Sequence, residues 1–230
     1  MAEQLSRLVH GQRRFLADVA HELCAPLSRI QLSAGILEQR ASEADKEHVQ
    51  RLERDVAHMS ALVGDLMSFT KGAARMPDLS RVTLADVVSG VVEQEGSPTV
   101  RLSAEVDPSI SVLADREYLK RAVGNVLRNA ILYAGKAGPI RILADRNGGL
   151  ENGPSVRLRV EDSGPGLPEE ELEAVFQPFY RPDTSRTPGT GGFGLGLAIV
   201  RSCIEACGGR VICRNRQPSG LEVDILLREG

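Results

Sequence analysis

A histidine and a glutamate, His21 and Glu22, stand side by side in a stretch whose apolar residues recur with a helical period. Each residue of a helix advances about 100°, so with Val19 and Leu23 on the apolar face, His21 is predicted to point away from it. Pro26, later in the same helix, removes a backbone hydrogen bond and frees the carbonyl of Glu22. An exposed nucleophile beside a helix distortion could do chemistry, although an exposed histidine alone is more often a solvated surface residue.

Two amides and an Asp-Gly segment in the second half of the chain could contact a ligand. Asn125 and Asn129 are four residues apart and share one helix face, where their oxygens could reach a hard cation such as Mg²⁺. Asp162 follows a predicted strand and precedes Gly164 and Gly166, which allow a close approach of the backbone to a ligand. Each signal is weak alone, because solvated faces and turns use the same residues.

A glycine-rich run at 190–197 opens the last predicted helix. Free amide N–H groups before a helix start can hold phosphate oxygens, and the helix N-terminus adds favourable partial charge. The polar segment that precedes it, after Tyr180, is typical of a flexible lid over a nucleotide. The run is neither a P-loop, because no Gly-Lys-Ser/Thr follows, nor a dinucleotide fingerprint, because no βαβ unit surrounds it.

The elements that must position these residues fall into two regions. Proline and glycine are rare in the first 72 residues, which read as two long helices joined by a polar loop at 41–45, and the segment 72–79 is the predicted linker. Apolar residues step by three and four along both helices, at Leu16, Val19, Leu23, Pro26, Ile30, Ala34 and Leu37 and at Val49, Leu52, Val56, Met59, Val63 and Leu66. Such seams favour a dimeric four-helix bundle, the alternative being a hairpin packed on the second domain.

The second region reads as a mixed sheet with helices on one face, an α+β sandwich. Helices are predicted at 84–95, 117–134 and 196–206, and strands at 100–106, 140–144, 156–161, 210–213 and 221–227. The net charge of −3 and the 3% aromatic content imply no nucleic-acid partner. The four cysteines form no CxxC pair, and Cys203 and Cys207 are predicted to be buried. No apolar run of about 18 residues or signal peptide is visible, and the uncapped start suggests a fragment of a longer protein.

Five motifs in this order resemble the sensor histidine kinases of two-component systems over nearly the whole chain. They are similar to the H box at 15–27, the N box at 125–129, the G1 box at 162–166, the F box at 176–181 and the G2 box at 192–196. The F-box and G2-box runs look most like the envelope-stress branch. The resemblance implies an α + α/β fold: a helical hairpin (1–72) that forms a dimeric four-helix bundle, a linker (73–79), and an α/β sandwich ATP-binding domain (80–230) of the histidine kinase, topoisomerase and chaperone ATPase superfamily.

The resemblance also implies a role for each motif residue. His21 would attack the γ-phosphate of ATP, Glu22 would accept its proton as general base, and Arg181 would neutralise developing charge. Asn129 would coordinate Mg²⁺. The remaining nucleotide-binding positions implied are Asn125 at the phosphates, Asp162 at the adenine amino group, Tyr133 stacked on adenine, and Gly164, Gly166, Phe176, Phe179, Gly192, Gly194, Leu195 and Gly196 around the ligand.

The implied partners are a second copy of the chain and the receiver domain of a response regulator, to which the phosphoryl group passes. The implied location is the cytoplasmic side of a bacterial inner membrane, reached through an N-terminal sensor region outside this sequence. Two other hypotheses remain: an ATPase of the wider superfamily without a phosphoacceptor hairpin, and a non-catalytic scaffold that binds nucleotide as a structural ligand.

The sequence departs from the family pattern in three places, at four positions. Leu132 stands where a basic residue often reaches the phosphates, and Phe193 where the G2 box often has a small or hydroxyl residue. Cys24 and Ala25 replace the usual Arg and Thr after His-Glu-Leu. Because Ala25 has no hydrogen-bonding group to orient a water, the phosphatase activity of many family members is predicted to be weak here.

Overall fold

In the computed structural model the chain divides into two compact units, Met1–Ala74 and Arg75–Gly230. The structure describes residues 2–40, 42, 45–71, 76–97, 99–134, 137–146, 149–150, 153–182 and 193–230. Across these ranges, no helix combines the length and the apolar character needed to cross a membrane.

The first unit is a hairpin of two helices, α1 (Ala2–Arg40) and α2 (Lys46–Lys71). The predicted loop at 41–45 separates them, although residues 41, 43 and 44 lie outside the described part. The main-chain N–H groups of Asp45 and Lys46 donate to the carbonyl oxygen of Ser42 at 3.0 and 3.1 Å, which begins α2. Helix α1 runs on through Pro26 without a break.

The two helices pack through a stripe of small and branched residues. The buried side chains, each at most 4% exposed, are Ala20, Leu27, Ala34, Val56 and Val63. The three buried residues of α1 repeat every seven positions, and the small alanines on either side of Leu27 let the helices approach closely. The predicted seam therefore supplies only part of this contact.

Other members of the predicted seam stay exposed in the single chain. Leu23, Ile30 and Leu37 of α1 are between 40% and 51% exposed, and Leu52 and Met59 of α2 are 42% and 50% exposed. Leu16 lies outside the residues whose side chains are described. A second apolar stripe thus runs along the hairpin beside the one already buried, and burying it would be favourable at about 25 cal/mol per Å².

The second unit contains two sheets in its described residues, with strand bounds β1 (Ser80–Thr83), β2 (Leu102–Glu105), β3 (Ser111–Ala114), β4 (Ile140–Asp145), β5 (Ser155–Glu161), β6 (Arg210–Asn215) and β7 (Leu221–Arg228). The larger sheet has the order β2-β4-β5-β7-β6, with β2 and β4 parallel and the other pairs antiparallel. Strands β1 and β3 form a separate antiparallel pair.

Within the described residues this unit has three α-helices, α3 (Leu84–Glu95), α4 (Arg116–Ala134) and α5 (Gly196–Ala206), and two short 3-10 helices, Glu169–Glu171 and Ala174–Phe176. Alternate residues of the central strands face the helices and are buried, as Leu158 of β5 and Ile225 of β7 illustrate. The opposite face carries ion pairs, in which Arg159 and Arg214 each lie 2.8 Å from the buried carboxylate of Asp224. The predicted sandwich with helices on one face is confirmed.

Asp115 fixes the start of α4. Its Oδ1 accepts the N–H groups of Glu117 and Tyr118 at 3.0 and 3.2 Å, which caps the helix, and its Oδ2 accepts the N–H of Asp78 at 3.0 Å. A cap of this kind is typically worth about 1 kcal/mol. The same carboxylate therefore holds both the segment that enters this unit and the helix that carries the two predicted asparagines.

Cysteines 203, 207 and 213 are buried, as predicted for the first two, and Cys24 is exposed. Burial raises the pKa of Cys203 to about 11 and that of Cys213 to about 12. These thiols are packing residues, because a thiol without thiolate character is a poor nucleophile.

Candidate functional site

The carboxylate of Asp162 lies where β5 ends, and it is 9% exposed. The main-chain N–H of Asp162 donates to the carbonyl oxygen of Leu221 at 2.9 Å. Its Oδ1 accepts the N–H groups of Gly164 and Leu221 at 2.8 and 3.0 Å. These bonds hold Oδ1 in place and do not involve Oδ2.

Burial raises the pKa of Asp162 above its usual value. The N–H groups of Gly164 and Leu221 and the charge of Arg216 oppose that rise, because each favours the ionised form. An oriented, half-desolvated carboxylate is suited to accept a hydrogen bond from a ligand amino group.

The loop after Asp162 follows a path that only glycine permits at Gly166. Its φ is +75°, and a Cβ there would lie 2.7 Å from Oδ1 of Asn215. Asn215 in turn accepts the N–H of Leu167 at 2.9 Å and donates to its carbonyl at 2.7 Å. Gly164 lies against Ala134 at the end of α4. The loop is thus held between α4 and β6.

The two predicted asparagines differ in their surroundings. Asn125 is 4% exposed, donates to the carbonyl of Arg121 at 2.8 Å and accepts Nη2 of Arg128 at 3.1 Å. Asn129, one turn later, is half-buried, and a Cβ on Gly196 would lie 3.3 Å from its Oδ1. The start of α5 therefore lies against Asn129, whereas the oxygen of Asn125 is already engaged within the protein.

Tyr133 continues the same face of α4, one turn beyond Asn129, and is 40% exposed. Leu132, beside it, is 45% exposed. A broad aromatic ring presented to solvent next to a glycine loop is suited to stack on a flat ligand.

The F-box region is attached to α5 by side chains and by main chain. Phe176 is 3% exposed, and the guanidinium of Arg201 lies 4.2 Å from its ring centroid and 2.6 Å from the carboxylate of Glu173. Phe179 has a φ of +66°, unusual for a residue with a side chain, and its N–H donates to the carbonyl of Gly194 at 2.9 Å. This bond ties the two ends of the predicted lid together.

The remaining predicted positions lie around this junction. Leu195 is fully buried and precedes Gly196, the first residue of α5. Arg181 is half-buried and Phe179 is 55% exposed. Gly192 lies outside the described residues, as do residues 183–191. Asp162, Gly164, Gly166, Asn129, Tyr133, Gly194 and Gly196 all lie in the second unit, around the ends of α4 and β5 and the start of α5.

The first unit presents the predicted phosphoacceptor. His21 and Glu22 are exposed on α1, next to Ala20, which is buried against α2. Ala25 and Cys24 are exposed as well, so these four neighbouring residues of α1 are all accessible within the hairpin as far as its described side chains show.

Sequence reasoning missed Asn215, Arg216 and Gly220. Gly220 has a φ of +120°, and a Cβ there would overlap the carbonyl oxygen of Asp162. Asn215 ends β6, and Arg216 and Gly220 lie in the turn between β6 and β7. The Pro-Ser-Gly sequence of that turn marks a turn but gives no sign of what it contacts.

Comparison with known proteins agrees with this geometry. A family model described as "Histidine kinase-, DNA gyrase B-, and HSP90-like ATPase" matches residues 114–230, and one described as "His Kinase A (phospho-acceptor) domain" matches residues 11–75. The second unit therefore belongs to that class of ATP-binding domain. With both models matched in this order, the chain belongs to the sensor histidine kinase family, and the alternative of an ATPase without a phosphoacceptor hairpin is not favoured.

Named relatives lie in the same family. The chain is 30% identical over 236 residues to "Sensor histidine kinase CpxA" of Escherichia coli K12, covering 99% of this chain and 49% of that protein. It is 29% identical over 233 residues to "Signal transduction histidine-protein kinase BaeS" of the same strain, with the same coverage. The chain thus spans about half the length of the curated relatives it matches. The resemblance to sensor histidine kinases, including the envelope-stress branch, is confirmed.

Solved structures support the fold. A full-length ShkA structure in complex with AMPPNP has a TM-score of 0.75 and 27% identity, covering 94% of this chain and 46% of that one. The mycobacterial sensor histidine kinase MprB has a TM-score of 0.56 and 28% identity, covering 66% of this chain and 97% of that one.

Gly194→Ala is expected to weaken nucleotide binding at least about tenfold. Its φ is +71°, and a Cβ there would overlap the carbonyl oxygen of Tyr180, so the main-chain junction with the F box must shift. Gly208→Ala is a matched control, because Gly208 has the same φ of +71° and nothing lies within 4 Å of an added Cβ. Calorimetric titration with ADP measures both; equal losses in the two variants would refute the steric explanation.

Proposed function

We propose that this chain is the kinase core of a two-component sensor and uses ATP to phosphorylate its own His21. The observation that carries the proposal is the presence, in one chain, of an exposed histidine in a matched phosphoacceptor hairpin and an oriented Asp162 in a matched ATP-binding domain. The non-catalytic scaffold hypothesis is less favoured, because it gives no role to the exposed His21–Glu22 pair.

The proposed reaction is an in-line phosphoryl transfer. One ring nitrogen of His21 attacks the γ-phosphorus of ATP and forms an N–P bond, while the P–O bond to the β-phosphate breaks and its electron pair leaves with ADP. Glu22 accepts the proton from the other ring nitrogen. Arg181 neutralises the charge that develops on the transferred group.

The arrangement of the second unit supports a set of proposed nucleotide contacts. Asp162 would accept a hydrogen bond from the adenine amino group, and Tyr133 would stack on the ring. The start of α5 at Gly196 would hold phosphate oxygens by its free N–H groups. Among the other proposed positions, Gly164, Gly166 and Gly194 would permit close approach of the main chain to the ligand, and Phe176, Phe179 and Leu195 would lie around it. Asn125 would stabilise α4 through its bonds to Arg121 and Arg128. Gly192 is proposed from its motif alone.

Mg²⁺ fits the residues present. The amide oxygen of Asn129 is a suitable hard ligand beside the phosphate-binding start of α5, and a magnesium ion needs few protein ligands when phosphates and waters complete its shell. When bound, the ion would supply charge neutralisation on the β- and γ-phosphates. Asn129 is therefore the proposed magnesium ligand, whereas the Asn125 oxygen is held by Arg128.

The phosphoryl group is proposed to pass from His21 to an aspartate in the receiver domain of a response regulator. The whole protein is proposed to be a bacterial inner-membrane sensor with this part in the cytoplasm. Support comes from the curated relatives, which are named sensor kinases and are about twice as long as this chain.

The second partner is proposed to be another copy of the chain. The exposed stripe through Leu23, Ile30 and Leu37 would be buried in a four-helix bundle.

Ile30→Glu is expected to give a monomer in sedimentation, because it places a charge in that interface. Leu32→Glu, on another face and 69% exposed, is the control and should remain a dimer. If both variants remain dimers, the proposed interface is contradicted.

His21→Gln is expected to abolish incorporation of labelled phosphate from ATP while ADP affinity stays within about twofold. The reason is that the nucleophile and the nucleotide pocket belong to different units. The measurements are acid-labile, base-stable labelling and calorimetric titration. Labelling of the variant at the wild-type rate would mean that another residue is the phosphoacceptor. Loss of ADP binding would contradict the assignment of His21 and the nucleotide pocket to separate units.

We further propose that dephosphorylation of the response regulator by this chain is weak. The residue one turn after His21 is Ala25, which is exposed on the same side of α1 and has no group to orient an attacking water. Losing a water-positioning group typically costs on the order of 100-fold in rate. Autophosphorylation does not need that group, because His21 and Glu22 are both present.

Ala25→Thr is therefore expected to accelerate the decay of a purified phosphorylated response regulator in the presence of ADP. A threonine hydroxyl at this position can accept and donate a hydrogen bond. Ala25→Val, which matches threonine in shape, is the control and should not accelerate decay. Strong dephosphorylation by the unmodified protein, with no gain from threonine, would overturn the proposal.

A further inference from the structure

Arg216 contacts the end of β5 from the turn between β6 and β7. Its Nη1 donates to the main-chain oxygen of Asp162 at 2.8 Å, and its Nη2 lies 3.1 Å from the carboxylate of Glu161. A planar guanidinium can bond two acceptors at a fixed angle. Arg216 therefore joins the last residue of the strand to the first residue of the glycine loop.

This contact restrains the main-chain carbonyl of Asp162, which the other bonds described above do not hold. Leu221 holds the main-chain N–H of Asp162, and the N–H groups of Gly164 and Leu221 hold Oδ1. The carbonyl of Asp162 leads directly into the glycine loop, which has little stiffness of its own. With Arg216 in place, both peptide groups that flank the Asp162 side chain are fixed.

The sheet does not depend on Arg216 for its own ion pairs. Glu161 also lies 3.7 Å from Arg141 and 4.0 Å from Arg159, so its carboxylate keeps cationic neighbours when Arg216 is replaced. The Arg216 side chain itself is 25% exposed. A substitution here should therefore leave the unit folded.

We propose that Arg216 is a positioning residue that fixes the direction of the Asp162 carboxylate and thereby sets the preference of this site for adenine. The inference rests on the proposed function, in which that carboxylate accepts the exocyclic amino group of adenine. A rotation of Asp162 weakens this bond, and it leaves contacts to sugar and phosphate unchanged. The site then loses discrimination between adenine and other bases, while its affinity for nucleotides in general changes less.

The test compares ADP with IDP, which carries a carbonyl group where adenine carries the amino group. In the full chain, Arg216→Gln is expected to weaken the binding of ADP about tenfold and the binding of IDP less than about threefold. The ratio of the two affinities, which measures the preference for adenine, therefore decreases. Arg216→Lys keeps the charge and lacks the planar guanidinium. Its preference for ADP over IDP should therefore lie between those of the unmodified chain and Arg216→Gln. Calorimetric titration gives all the dissociation constants, and thermal melting checks the fold.

Arg157→Gln is the matched control, because Arg157 forms a similar ion pair with Asp145 on the same sheet face, at 2.9 Å, away from Asp162. It should keep the wild-type ratio of ADP to IDP. An unchanged ratio in Arg216→Gln, or an equal loss of both nucleotides, would overturn the positioning role. If the unmodified chain binds neither nucleotide, the proposed function fails instead, so the two failures are distinguishable.

Discussion

The proposed nucleotide site depends on one carboxylate that is held by the protein's own main chain. Oδ1 of Asp162 accepts two N–H groups, from Gly164 and Leu221, in a place where burial raises its pKa. Charged acceptors form stronger hydrogen bonds than neutral ones, so a buried carboxylate with two donors is both stable and rigid. The strand end, the glycine loop and the β6–β7 turn are all arranged around that group.

The same arrangement explains why several glycines occur together. Gly166 and Gly220 adopt positive φ angles where a side chain would meet Asn215 or the main chain of Asp162. On the other side of the site, Gly194 lets the main chain join Phe179. Glycine therefore occurs where elements distant in sequence must approach closely. Helices α4 and α5 bring Asn129 and Gly196 together at one such approach.

Sequence patterns predicted the long elements better than the contacts between them. The predicted bounds 84–95 and 196–206 coincide with α3 and α5, because each helix has a clear period and a clear break. Strands β1 and β3 were missed, since four-residue strands depend on each other for pairing. In the hairpin, the buried stripe includes Ala20 and Leu27, which the predicted seam had omitted. Alanine carries little hydrophobic signal, and the seam was assigned to Pro26 rather than to Leu27 beside it. Arg216 was not predictable, because its contacts arise from the turn that the fold places beside Asp162.

The most direct test of this account is the affinity of Asp162→Asn for ADP in the full chain. A carboxylate accepts hydrogen bonds on both oxygens, whereas an amide accepts on one and donates from the other, so asparagine cannot satisfy Gly164, Leu221 and adenine together. The account predicts at least about a tenfold loss of ADP affinity with an unchanged melting profile in the first unit. Wild-type affinity for ADP in this variant would contradict it.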